Sequence, residues 1–461
     1  MTNSSPTQTD EPRPAKTTKE AYAVLVPDEA LPSGDGRYVH LDAARGRTDL
    51  AGSLQQKLQS SDELAREGGT NFVRLLLTGH RGCGKTTELL RLCDLLTTAG
   101  FTVVYFDAEA EFDLLKQDVS WWNVLLEMIW QLDTQLSEGP NAIELPEGPK
   151  EEAAAWLARS VVTDKETVDL GASLTTELGA GADIPFFLKA KLLFKAWVSA
   201  GSSHVKEMER EIERRPDVLV DALDAIIRHV NEQRYKENHP GLVIVVDGLE
   251  KIPLRSSPSG ITAHSALFIH NGDKLKSPPC HLVYTMPLAL LRQVNVSQVF
   301  PDVPVIMPMI HVADRTGDPD DEGIEAMRTV LHKRVIPDLF EEGAARELAL
   351  ASGGHIRDFI RLARAAAGRF GDLITQDHVR AAINETVDYY DNLYDAKFYN
   401  ALVSVNQTHE LPRGDYDSEL IDRLLVLPYR NDTSWYALHP CFLKGPRLSK
   451  AKRGKANSRK K

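Results

Sequence analysis

The 461-residue chain has little that would tie it to a membrane or to an oxidising compartment. It contains no run of 18 or more apolar residues; IPFFLKAKLLFKAWVSAG, residues 184–201, comes nearest but is broken by three lysines, which excludes a spanning helix. The N-terminus MTNSSPTQTDEPRPAKTTKE lacks the apolar block of a secretory signal, so a cytoplasmic protein without a transmembrane segment is expected. Only four cysteines occur, Cys83, Cys93, Cys280 and Cys441. They have neither paired zinc spacing nor the density of a disulfide framework, and are expected to be reduced. Basic clusters are scarce as well. The net charge is −12, yet residues 444–461, KGPRLSKAKRGKANSRKK, hold nine Lys or Arg and no acid. An acidic body with a basic tail reads either as a protein with a solvated, disordered end or as one whose tail contacts nucleic acid.

What is present is more specific. LLLTGHRGCGKTTELL, residues 75–90, carries Gly79, four residues, then Gly84, Lys85 and Thr86, behind an apolar run that reads as a buried strand. The pattern is a phosphate cradle: glycines let consecutive N–H groups turn inward, and the following helix places its positive end on the same anion. Gly79, Gly82, Cys83, Gly84, Lys85, Thr86 and Thr87 are therefore expected to bind nucleotide, with Lys85 reaching the β- and γ-phosphates and Thr86 offering its hydroxyl to Mg²⁺.

At this length one hydrophobic core is not enough, and two or three domains are expected. Residues 1–20 are polar and Pro-containing and predict disorder; a helical stretch follows, up to Gly68. After the cradle, FTVVYFDA (101–108) predicts a second buried strand ending at Asp107, and DVSWWNVLLEMIWQL (118–132) an amphipathic helix whose Trp121, Trp122 and Trp130 belong to a core. From about 137 to 240 the alternation is interrupted by an insertion. Its basic-apolar piece FFLKAKLLFKAW fits a helix packed on the sheet, or contact with a membrane surface or a partner. GLVIVVDGLEKI (241–252) then places Asp247 at the end of an aliphatic strand, where an Mg²⁺-binding acid belongs, with Glu250 either orienting and deprotonating the attacking water or remaining a solvated acid. CHLVYTMPLALL and VPVIMPMI complete an α/β P-loop sheet of four or five parallel strands.

These elements, with Thr285 on the strand after Asp247 and the stretch ASGGHIRDFIRLARAA (351–366), resemble the AAA+ initiator and STAND groups of P-loop NTPases. The last stretch is similar to the Gly-Asp-x-Arg helix of Orc/Cdc6-type ATPases, with Gly354 and Arg357 at matching spacing. The resemblance spans about 40–135 and 240–445. It implies Thr285 as a first γ-phosphate sensor, Arg357 as a second sensor on a helical lid, and Arg292 in roughly the place of an arginine finger, unless it is an ordinary surface arginine. Asp247-Gly248-Leu249-Glu250 departs from the adjacent Asp-Glu of AAA+ proteins toward the pattern of STAND and NACHT switches. Helices, then LLVLPYRN, a turn and WYALHP, suggest a winged-helix-like domain, in which His439 either touches the β-phosphate of bound ADP or is a packed capping residue.

The implied plan is a P-loop NTPase domain over 40–312, a helical lid over 313–394, a winged-helix-like domain over 395–443 and a basic tail over 444–461. The implied function is an ATP- and Mg²⁺-dependent, slowly hydrolysing switch in bacterial conflict or antiphage defence, acting on a separate effector protein and forming a homo-oligomer on ATP binding. Two other readings stay open: a DNA-binding AAA+ ATPase of replication initiation or transposition, contacting nucleic acid through the tail or winged helix, and a nucleotide-binding scaffold without turnover.

Overall fold

The computed structural model describes residues 13–47, 49–69, 71–112, 114, 119–137, 142–161, 216–253, 260–414 and 416–451. The central part of the 137–240 insertion, including FFLKAKLLFKAW, and the last ten residues of the basic tail lie outside them.

Five strands, β1 (Arg74–Gly79), β2 (Thr102–Asp107), β3 (Leu242–Asp247), β4 (His281–Met286) and β5 (Val305–Met307), form one parallel sheet in the order β2-β3-β4-β1-β5. β1, β3 and β4 are buried along their whole length, which is why their sequences are continuous apolar runs rather than alternating ones. The pleat divides them between two cores. Leu75, Leu77, Val243 and Val245 pack with Leu89, Leu92 and Leu96 of the helix Lys85–Thr98. Leu76, Ile244 and Val246 pack on the other face with Trp121, Trp122 and Trp130 and with Ile226 and Ile227 of the helix Pro216–Lys236. The tryptophans are core, as expected.

Register places Asp107 beside Asp247 and Leu77 beside Thr285, so the ends of β1, β4, β3 and β2 share one edge of the sheet. Since β4 lies between β1 and β3, Thr285 stands between the cradle and the acid-ended strand.

A third core joins the helices Asp321–His332, Ala344–Ser352, Ile356–Ala367 and Gln376–Asn392 to the C-terminal helices Tyr399–Thr408 and Asp417–Asp422. The expected division near 394 is therefore not a division in packing. The chain ends in an antiparallel hairpin, β6 (Val426–Arg430) and β7 (Ser434–Leu438), followed by a short helix, Pro440–Lys444. Leu427, Tyr429 and Trp435 of the hairpin pack into the same core as the cradle helix, and the Met309 N–H donates to the Pro428 carbonyl at 3.0 Å.

Two expectations of disorder need correction. Residues 13–20 are ordered: Ala15 bridges Val335 in parallel, and Thr17 caps the helix Thr18–Val24, whose Ala21 is buried against the lid. The start of the tail is held as well. Leu448 is buried, and the Arg447 N–H donates to Asp391 at 2.9 Å.

Candidate nucleotide site

β1 stops at Gly79 and the next helix starts at Lys85, leaving residues 80–84 to turn at the sheet edge. Gly82 and Gly84 have φ of 80° and 100°, a left-handed region that side chains avoid. At 82 space is short too: a Cβ there would stand 2.5 Å from the Arg357 Cβ. In front of the turn lies a cavity of about 600 Å³. Gly82, Gly84, Lys85, Thr86 and Thr87 form one wall, Asp107, Glu250 and Lys251 another, and Arg357 closes it from the lid. Residues 27–31, 37–39 and 41 border the remaining side, where Leu31, Val39 and Leu41 give an apolar patch beside the charged Asp28, Glu29 and Arg37.

Lys85 and Glu250 hold each other. The Lys85 Nζ lies 2.9 Å from Glu250 Oε1 and donates to the carbonyls of Gly79 and His80, each at 3.0 Å. Both side chains are buried. Burial works against the Glu250 charge, but the Lys85 ammonium and hydrogen bonds from Thr285 and Lys85 outweigh it, and its carboxyl is held below the usual range. By the same pairing Lys85 stays charged, its pKa raised although burial opposes this.

Asp247 is fully buried behind this pair. It accepts the Gly248 N–H at 2.7 Å and the Tyr105 hydroxyl at 3.2 Å, and it is hydrogen-bonded to Thr86. Burial, and next the negative charge of Glu250, push its pKa up. Asp247 does not itself line the cavity, but its carboxyl and the Thr86 hydroxyl bonded to it are hard oxygen donors, of the kind that fit Mg²⁺, which keeps several waters of its own. Thr285, also fully buried, accepts the Leu249 N–H at 3.2 Å and so fixes the turn that carries Glu250.

The remaining candidates separate. Arg357 reaches the cavity: its N–H donates to the Gly82 carbonyl at 3.1 Å, and its Nε lies 2.6 Å from Asp28. Arg292 does not line this cavity. Its Nε lies 3.1 Å from Asp417 and its Nη2 donates to the Leu411 carbonyl at 2.7 Å, so the guanidinium ties the sheet domain to the C-terminal helices. His439 is likewise elsewhere and fully buried. Its Nε2 is 3.2 Å from Asp358, its Nδ1 accepts the Cys441 N–H, and its ring stacks on Tyr390 at 4.1 Å, the packed and capping alternative of the two expected for it. Gly79 and Cys83 supply backbone behind the cavity wall.

Sequence reasoning did not foresee what residues 80–82 do. The His80 Nε2 bonds the Val426 carbonyl of β6 at 3.0 Å. The Arg81 carbonyl receives the His355 Nε2 at 2.6 Å, and the Gly82 carbonyl receives the Arg357 N–H. Behind these contacts Asp358 gathers His355 at 3.4 Å, His439 at 3.2 Å and the Tyr390 hydroxyl at 2.5 Å. Although burial opposes it, the two histidines hold the Asp358 carboxyl well below the usual range. Asp107, paired with Lys251 at 3.1 Å, and Tyr105 were also missed as neighbours of Asp247; period-2 alternation in β2, which brings 105 and 107 to one side, was the available signal.

No family model and no curated protein matches the chain. Among solved structures it is similar to the ORC2 protein of Aeropyrum pernix in its ADPNP-ADP complexes, at 13% identity and a TM-score of 0.38, over 95% of this chain and 98% of that one. A Walker-type ATPase of Pyrococcus abyssi is similar at 11% identity and a TM-score of 0.40, over 91% and 99% of the two chains. The ORC1 protein of Aeropyrum pernix in complex with DNA is similar at 15% identity and a TM-score of 0.33, over 93% and 95%. The functional reading therefore stands on the site's own geometry.

Proposed function

We propose that the protein is an Mg²⁺-dependent ATP-binding switch that hydrolyses ATP slowly and passes its nucleotide state to the C-terminal hairpin. The observation that carries this reading is the row of bonds from His80, Arg81 and Gly82 to β6 and the lid. A loop that shifts to admit a polyphosphate shifts all three bonds with it.

In the chemistry that follows, Lys85 exchanges Glu250 for phosphate oxygens. Glu250, no longer paired, can then take a proton from a water aligned on the γ-phosphorus, with Thr285 holding its turn. Mg²⁺ held at Thr86 and Asp247 would neutralise charge that develops on the phosphate oxygens. Arg357, released from Asp28, is placed to bind the phosphate end from the lid. The base would take the apolar patch of Leu31, Val39 and Leu41, with the sugar toward the polar residues of the same side. An effector, in this reading, is a separate protein that meets the hairpin or lid once they are released.

The test compares compactness, by small-angle scattering and limited proteolysis, for nucleotide-free, ADP-loaded and ATP-loaded protein. Release of the hairpin in one nucleotide state supports the switch; identical profiles in all three states with measurable turnover reject it.

A second reading, an ATPase that contacts DNA, is favoured by one observation. Residues 452–461 hold six Lys or Arg and no acid, beyond the packed start of the tail.

A further inference from the structure

Arg45, like Arg74 and Arg334, is a buried arginine held by backbone carbonyls, and of the three it alone bonds the turn of the cradle. It ends a single helical turn, Ala43–Arg45, stopped by Gly46, whose φ of 65° and close approach to the Arg430 carbonyl of β6 leave no room for a side chain. The turn is therefore fixed on both sides. Arg45 is 3% exposed and lines the nucleotide cavity. Among the described residues it forms no ion pair. Glu88, whose carboxyl feels the Arg45 charge, is turned instead to the Tyr38 hydroxyl at 2.9 Å and to Arg91 at 3.5 Å. The Arg45 guanidinium has backbone carbonyls as partners, Cys83 through Nη2 at 2.6 Å and Pro308 through Nη1 at 3.4 Å. Burying a cation without a carboxylate is costly, so such a site persists where the cation is used.

The use follows from the geometry of one peptide unit. Cys83 and Gly84 are joined by a trans peptide, in which the N–H points opposite to the C=O. By holding the Cys83 carbonyl to itself, Arg45 keeps that partial negative charge out of the phosphate site. It also turns the Gly84 N–H to the far side, as a donor. A carbonyl swung the other way would face the incoming anion and repel it.

We propose that Arg45 is a positioning residue for phosphate binding, acting through the Cys83–Gly84 peptide and adding a buried positive charge behind the cradle. This rests on the P-loop reading above and assigns to it a residue from the segment before the NTPase sheet. The test is titration of the full-length protein with ATP, ADP and adenosine, for wild type, Arg45→Gln, Arg45→Lys and Lys85→Ala. Arg45→Gln should weaken ATP and ADP about tenfold, the cost of one charge-assisted contact, and leave adenosine within about twofold. Arg45→Lys should recover only part of the loss, leaving ATP about threefold weaker than in the wild type.

ATP and ADP affinities within about twofold of wild type in Arg45→Gln, with binding lost in Lys85→Ala, overturn this inference alone. Equal losses for ATP and adenosine overturn it too, since a merely structural role would treat them alike. Binding that is indifferent to Lys85→Ala overturns the P-loop reading and this inference with it. Should Arg45→Gln fail to fold, the Arg45→Lys protein decides: a lysine holds one carbonyl less rigidly than the guanidinium, so an ATP loss of at least about threefold with adenosine unchanged supports the role, and no change rejects it.

Discussion

Residues 80–82 and residues 84–87 belong to one turn of chain, and they serve different partners. Both halves touch the cavity, Arg81 and Gly82 from the earlier one, but the later half faces it throughout with Gly84, Lys85, Thr86 and Thr87, the side common to any protein that cradles phosphates. The earlier half bonds to β6 and to the lid through His80, Arg81 and Gly82. What a phosphate needs is written at fixed spacing; what ties that turn to the rest of the fold is written at positions the pattern leaves free. Breaking either half should give a different failure.

The largest effect belongs to Lys85→Ala. Nucleotide affinity should fall at least about a hundredfold, because contacts to charged oxygens are lost. The nucleotide-free protein should also lose about 3 kcal/mol, since Glu250 stays buried without its counter-charge. Adding Glu250→Gln should restore much of that stability and none of the affinity, which chemical denaturation and nucleotide titration separate. Glu250→Gln alone should slow phosphate release about a hundredfold and keep ATP bound, as its ion pair no longer competes for Lys85. Wild-type turnover in that variant would place the catalytic base elsewhere.

The earlier half can be broken with acid. His80 is fully buried and its pKa is pushed down to about 3, chiefly by burial and then by the charge of His355. The folded protein keeps it neutral, whereas the unfolded chain binds a proton below about pH 6.5. Stability is thus flat above that pH and is lost as pH falls from about 6.5 toward 3, by about 2 kcal/mol at pH 5 from this residue. His80→Asn, which keeps a donor for Val426, should flatten the denaturation-against-pH curve between pH 7 and 5. An unchanged slope would mean that His80 is solvated.

Smaller still is Arg357→Ala, which removes a lid contact and leaves the cradle. The difference in radius between ADP and ATP states should shrink, a coupling change of about 1 kcal/mol, while ADP affinity moves less than about threefold. An unaltered difference separates Arg357 from the switch. The smallest effect on nucleotide comes from deleting residues 452–461, which should leave ATP affinity untouched. Any salt-sensitive DNA retention should disappear with them, and its log–log salt slope should fall by no more than about five for six cations. Sequence-specific retention that survives the deletion would favour the DNA-contacting reading.

The sequence was most informative where chemistry demands fixed spacing. Gly79 through Thr86 and the strand ending at Asp247 were legible because local pattern and site coincide, whereas Thr285 entered only through the family resemblance. His439 and Arg292 were not, since both are defined by partners far along the chain, Asp358 and Asp417, which no spacing predicts. Arg45 was illegible for a similar reason: in LDAARGRTDL, which also holds Arg47, nothing marks it as the arginine that will be buried against Cys83. The division of the C-terminal part into lid and winged helix failed to foresee a shared core, because helix periodicity marks an apolar face without naming what covers it.

The distance along the chain between the cradle and its clamp has a consequence in time. His80, Arg81 and Gly82 are translated more than 270 residues before His355, Arg357 and Val426. At the usual rates of synthesis that interval is roughly 15–55 s. β1 is buried between β4 and β5, so the turn itself can be fixed only once β5 has been made, and its contacts to the lid and β6 follow later still. The half of the turn that faces the cavity can thus be complete before the half that bonds the lid and hairpin is fastened, so the order of synthesis matches the order in which the two halves are built.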